Sequence, residues 1–184
     1  EIEQLVNLTE SYGEAISFRL DANGAFDLPR AIRFCKEMEA FNIDYIEQPI
    51  QAGELVDLAE LCYHTTIPIA VDESLTDFHS AERIIEEQAA HVFIIKPMVS
   101  GGFSETKKII QLARKENIRT VITSSLETAI GRMACIHLAA AYEITEACGI
   151  ATDKFLNEDI VTPNIESGRM KFPDIPGIGL ELQI

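Results

Sequence analysis

Apolar positions along the chain follow two rhythms that take turns. Short, nearly continuous apolar runs occur in AISFRLDAN, IDYIEQPI, IPIAVDES, HVFIIKPM, RTVITSSLE and ACGIATDKF. Between them, LPRAIRFCKEMEAF, ELVDLAELCYH, FHSAERIIEEQAA, FSETKKIIQLARKEN and ETAIGRMACIHLAAAYEI space their apolar residues three and four apart, as amphipathic helices do. The short runs start about 25 to 28 residues apart, a period that suits a strand-plus-helix unit. The pattern predicts an α/β fold with a parallel sheet covered by helices.

Each predicted strand ends on a charged or hydroxyl residue: Asp21, Glu47, Asp72, Lys96, then Ser124 and Ser125. A βα-barrel of the TIM type places its chemistry there. An open doubly wound sheet gathers ligands at one switch point instead, and neither GxGxxG nor a Walker-type loop occurs. The barrel is therefore the favoured architecture. Six strands are visible where a closed barrel of this type needs about eight, so a partial barrel lacking its first strands is expected. Residues 1–156 carry the βα units, and 157–184, with three prolines, read as an irregular tail that packs on the barrel or on a further domain.

The three acids are evenly phased, 26 and 25 residues apart, and Lys96 follows 24 residues later. Equal phase puts three carboxylates together at the mouth of a parallel barrel, where they repel one another. A hard divalent cation removes that repulsion and takes oxygen ligands. Mg²⁺ fits best, with Mn²⁺ as a substitute. A solvated loop carboxylate is the ordinary reading of each acid alone; three at one phase argue for a shared site. Strand alternation turns Arg19 and Asn23 to the same side as Asp21, and Phe18 and Leu20 to the helices. Arg19 and Asn23 are thus candidate substrate contacts or supports for the metal ligands, and Arg19 equally a structural ion-pair partner inside the barrel. Lys96 would neutralise or protonate an enolate held by the metal, or simply balance the acids. Ser124 and Ser125 stand before a helix N-terminus, where hydroxyls and amides hold an anionic group; Ser125 serves equally as a helix cap. SGGF at 100–103 offers backbone for close approach to a ligand. The four histidines read as structural or solvated.

Composition narrows the partners. The net charge of −15 argues against nucleic acid, whose backbone needs clustered Lys and Arg. It does not exclude an anionic substrate, because a bound metal reverses the local field. Cys35, Cys62, Cys135 and Cys148 form no CxxC pair and predict buried free thiols in a reducing cytoplasm. No apolar run is long enough to span a membrane. The acidic, amphipathic start resembles no targeting signal, and with no initiating Met it reads as the start of a fragment or processed product.

LDANGAF, YIEQPI, AVDES and IIKPMVSGG, in this order and spacing, resemble the enolase superfamily in its muconate-lactonizing subgroup. The resemblance spans nearly the whole chain. It implies Asp21, Glu47 and Asp72 as Mg²⁺ ligands, Lys96 as the lysine of the sixth barrel strand, and a modified βα-barrel normally preceded by an α+β capping domain. Within the subgroup, SSLETAIGR with TDKFLNED is most similar to the o-succinylbenzoate synthases of menaquinone biosynthesis. These lyases dehydrate a cyclohexadiene carboxylate through a metal-stabilised enediolate. Muconate cycloisomerase and dipeptide epimerase are the alternatives, although the epimerases' Asp-x-Asp pair is represented only by Asp153. Two family features are missing: the Lys-x-Lys motif that supplies the base, and the capping domain. By the resemblance the chain is then a fragment, inactive alone, that needs the missing N-terminal part of the same enzyme or associates with itself as a homo-oligomer. A non-catalytic metal- or carboxylate-binding fragment is the reading from another class.

Overall fold

A computed structural model describes residues 2–159, 165–170 and 175–180, apart from the side chain of Glu14. Five parallel strands in sequential order form one sheet: β1 Phe18–Asp21, β2 Ile43–Glu47, β3 Ile69–Val71, β4 Val92–Ile95 and β5 Arg119–Ile122. After an N-terminal helix α1 Ile2–Tyr12, the connecting helices are α2 Leu28–Met38, α3 Leu55–His64, α4 Phe78–Glu86 and α5 Phe103–Lys115, with α6 Ala129–Ala141 following β5. Each connecting helix falls inside the segment its periodicity predicts. The sixth expected strand is reduced to one parallel bridge, Thr123 to Gly149, followed by a short 3-10 turn at Asp153–Phe155. Gly149 contributes no side chain to pack, and Asp153 beyond it favours a turn. A two-stranded hairpin, β6 Ile165–Glu166 with β7 Arg169–Met170, lies in the tail.

Alternation along the strands separates two apolar layers. Ile46, Ile69, Val71, Phe93, Ile95 and Ile122 point outward into the core shared with the helices, which includes Ala31, Leu58, Ile84 and Ile109. Tyr45, Ala70, Val92, Ile94 and Val121 form a second, inner cluster. Phe18 and Leu20 pack on the outer core, as alternation predicts. A sheet with apolar residues on both faces and helices on one is a barrel wall. The register shows its tilt. Asp21 pairs with Glu47, but Glu47 pairs with Ala70, and Ala70 with Val92. Asp72 and Lys96 thus lie further along their own strands than Glu47 does, the stagger of inclined barrel strands.

Several helix starts are written locally. The Asp27 side chain accepts from the Arg30 amide ahead of Pro29. Asp77 and Ser80 form a reciprocal capping box at the start of α4. Gly101 and Gly102 take φ of +90° and +82°, so SGGF is a left-handed turn into α5.

Four charges cross the opposite, N-terminal end of the barrel. Arg19 donates to Asp44 and Glu146, each at 2.7 Å, and to the Ala147 carbonyl. Arg119 pairs with Asp44 at 2.8 Å and with Glu146 at 2.9 Å. Both guanidinium groups lie over the Tyr45 ring. The network joins β1, β2 and β5 to the segment before Gly149, and so ties the two edges of the sheet together. Burial works against the charge of Asp44, but the bonds and fields of Arg19 and Arg119 outweigh it and hold its carboxyl below the usual range. The folded-state pKa is depressed, so this stabilisation is complete above the unfolded value near 3.9 and is lost as pH falls through the lower folded value. Asp44→Ala is expected to cost about 1–3 kcal/mol at pH 7, with the difference from wild type shrinking below about pH 4. Urea denaturation across a pH series checks it; a pH-independent difference would contradict the ionic account.

Candidate functional site

The C-terminal ends of the strands hold the candidate residues. Asp21 ends β1 and accepts from the Asn23 backbone N–H at 2.9 Å, an Asx turn that holds the carboxylate against its own loop. Gly24 follows at φ +70°, where a Cβ would come within 3.1 Å of the Gln51 backbone, so any side chain here would be strained and would push the loop from the β2 loop. Glu47 ends β2, opposite Asp21. Burial, then the fields of Asp21 and Asp72, push its carboxyl up to about 7, against the opposing pull of Lys96. Asp72 is 8% exposed and ion-paired with Lys96. Burial pulls the Lys96 ammonium down, but its bond to Asp72 and the fields of Asp72, Glu73 and Glu47 more than compensate, for a net rise.

The structure thus brings Asp21, Glu47, Asp72 and Lys96 within electrostatic reach at one mouth. The donor set suits a hard divalent cation: three carboxylates on adjacent strands, one pushed upward by burial and then by the other two. As placed, no three His, Cys, Asp or Glu side chains among the described residues converge closely enough to hold a metal ion. Asp72 turns to Lys96, and Asp21 to its own loop. A neighbouring cavity of about 360 Å³ is lined by Asn23, Gly24, Gln48, Gln51, Ala52 and Glu73.

Gln48 is the functional residue that sequence reasoning missed. It is fully buried at φ +37°. Its amide nitrogen donates to the Ile50 carbonyl and to Ser74 Oγ, and its amide oxygen accepts from the Asp72 and Ser74 backbone N–H groups. One side chain therefore fixes the Asp72 backbone relative to the strand that carries Glu47. Its position in YIEQPI, directly after an acid and before proline, was the available signal.

At the end of β5, Ser124 Oγ lies 2.8 Å from Thr152 Oγ1. The Ser125 amide donates to the Glu127 carboxylate, while its hydroxyl is buried without a partner. Thr123, with its Oγ1 also buried and unpartnered, continues the inner phase of Val121. Extending the alternation used for Asp21 would have singled it out. Arg19 stands away from the mouth in the charged network described above, and Asn23 sits in the loop beyond Asp21.

The histidines hold structural or solvated positions. His91 accepts from the Ile69 amide, and His64 and His79 approach glutamates on their own helices. The four cysteines are free. Burial raises their thiols, to about 11 in Cys35 and about 12 in Cys62 and Cys135, which makes them poor nucleophiles. Among the described residues no helix is long and apolar enough to cross a membrane.

Chemistry gathered at the C-terminal ends of parallel strands is the habit of βα-barrel enzymes. The chain belongs to the enolase C-terminal domain-like family, whose model matches residues 1–183. It is 33% identical to an N-succinylamino acid racemase of Thermus thermophilus over 100% of this chain and 50% of that protein. It is 31% identical to an o-succinylbenzoate synthase of Thermobifida fusca, covering 87% of this chain and 49% of the relative. A dipeptide epimerase from Cytophaga hutchinsonii, solved with Mg and D-Ala-L-Val, superposes with a TM-score of 0.90 at 27% identity, over 99% of this chain and 50% of that one. The chain spans about half the length of the curated relatives it matches. The family places it in the muconate-lactonizing subgroup, whose members divide among several reactions.

Gln48→Leu should destabilise the fold by about 3 kcal/mol, because it strands the Asp72 and Ser74 amides and the Ile50 carbonyl in a buried site. Chemical denaturation measures it; a cost below about 1 kcal/mol would remove Gln48 from its positioning role.

Proposed function

We propose that the chain is the metal- and lysine-bearing half of an o-succinylbenzoate synthase. Glu47 caught between Asp21 and Asp72, with Lys96 against Asp72, is the observation that carries the reading. Likeness to the synthases in SSLETAIGR and TDKFLNED, and 31% identity to one of them, support this choice within the subgroup. Asp21, Glu47 and Asp72 would hold Mg²⁺, with Mn²⁺ as a substitute. The cation would supply charge neutralisation for the substrate carboxylate and for the negative charge that develops beside it.

The reaction removes the proton next to that carboxylate and expels hydroxide, so that water leaves and the ring becomes aromatic. Lys96 opposes the developing enediolate charge from the mouth. Its raised pKa keeps it an ammonium at neutral pH, which suits an electrostatic role better than that of a base. No Lys-x-Lys occurs in these 184 residues, and the base is proposed to come from an upstream segment. Ser124, Ser125 and Asn23 are proposed to contact the substrate.

Racemisation of an N-acylated amino acid is a second reading, favoured by the 33% identity to a racemase along the whole chain. It opens with the same proton removal and differs in returning the proton to carbon. Assay of the full-length protein with the cyclohexadiene carboxylate, and with N-succinylamino acids in D₂O, separates the two. Aromatic product with a slower or absent wash-in of deuterium supports the synthase; deuterium incorporation alone supports the racemase.

In the full-length enzyme Lys96→Ala should lower kcat by about 100-fold while KM changes less than about threefold. Near wild-type turnover would reduce Lys96 to a charge balancer. Residues 1–184 alone should bind substrate or metal without turnover, even with the cation supplied; metal-dependent product from this piece would show that a residue within it is the base.

A further inference from the structure

Arg132 is the largest fully buried side chain among the described residues, and it carries a charge. It lies on α6. Its Nη1 donates to the Glu127 carbonyl at 3.1 Å, and its Nη2 stands 2.9 Å from Asp159 Oδ2. That approach is ionic, since no directed hydrogen bond forms at Nη2, and Nε has no partner. The two Asp159 oxygens both accept from the Ala129 amide, at 3.0 and 2.9 Å. The N-terminus of α6, expected from sequence to receive an anion from outside, is thus filled by a carboxylate of the chain itself.

A buried guanidinium costs free energy unless it is paired, and an apolar side chain of similar size would fill the space without that cost. The pair therefore points to a positional role. It fixes the far end of a segment whose near end, Gly149, bridges to Thr123 beside the mouth. Between these anchors lies Thr152, bonded to Ser124. We propose that Arg132 and Asp159 form a buried clasp that holds residues 150–159 across the mouth, and that by fixing Thr152 against Ser124 the clasp sets the affinity for substrate. This inference rests on the proposed function only for what is bound. Arg132 and Asp159 are positioning residues and touch no reacting atom.

The test uses the full-length enzyme carrying Asp159→Asn, which keeps size and one acceptor but loses the charge, beside Arg132→Lys, which keeps the charge. Asp159→Asn should raise KM about tenfold with kcat within about threefold, and Arg132→Lys should raise KM less. A merely structural role would lower the folded fraction and hence the apparent kcat at unchanged KM, and that result would overturn the proposal. Amide hydrogen exchange needs no substrate. In Asp159→Asn it should accelerate about tenfold or more within 125–159 and stay unchanged elsewhere; no local acceleration would also overturn it. If the wild-type enzyme converts none of the proposed substrates, the functional reading fails, while exchange still decides the clasp.

Discussion

Three carboxylates that share one end of a parallel sheet repel one another, and the mouth of this barrel is organised around keeping them there. Glu47 shows the tension most plainly: burial and two acidic neighbours push its carboxyl up to about 7. The chain offsets the repulsion in three ways. Lys96 pairs with Asp72, the Asn23 amide supports Asp21, and Gln48 fastens the backbone that bears Asp72. A rigid outer core of Ile46, Ile69, Phe93 and Ile95 leaves these strand ends little freedom to move apart.

The two ends of the barrel divide the work between them. The N-terminal end is closed by Arg19, Asp44, Arg119 and Glu146, two cations and two anions that satisfy each other. The C-terminal end sets Asp21, Glu47, Asp72 and Glu73 against Lys96, an excess of negative charge with an adjoining cavity. Balanced charge at one end favours stability, and unbalanced charge at the other favours binding. The side of the mouth formed by β5 and the segment after Gly149 carries short hydroxyl residues, Thr123, Ser124, Ser125 and Thr152.

Much of this was legible in the sequence because periodic signals carry it. The 3.6-residue period found α2 to α6, and the repeat of acids one unit apart found the residues that couple at the mouth. Alternation placed Phe18 and Leu20 correctly, and it left two roles open for Arg19. The structure realises the ion-pair role, through partners 25 and 127 residues away that no local pattern announces. Gln48 escaped because an amide in a strand-end loop has no period, and its value lies in four bonds, three to backbone and one to Ser74 Oγ, that only the fold brings together. ACGIATDKF overreached as a strand, since one apolar run gives no hint that pairing stops after Gly149. The Arg132–Asp159 contact joins a helix to a loop 27 residues further on, and reads in sequence as two unrelated surface charges.

The central claim is that Asp21, Glu47 and Asp72 act as one cation-binding unit. Titration calorimetry of Mg²⁺ into the full-length protein, wild type against Glu47→Gln, tests it most directly. Glu47 is the middle member, coupled to both others, so its neutralisation should weaken Mg²⁺ binding by at least about tenfold, roughly 1.4 kcal/mol. Equal Mg²⁺ affinity in the two proteins would contradict the account.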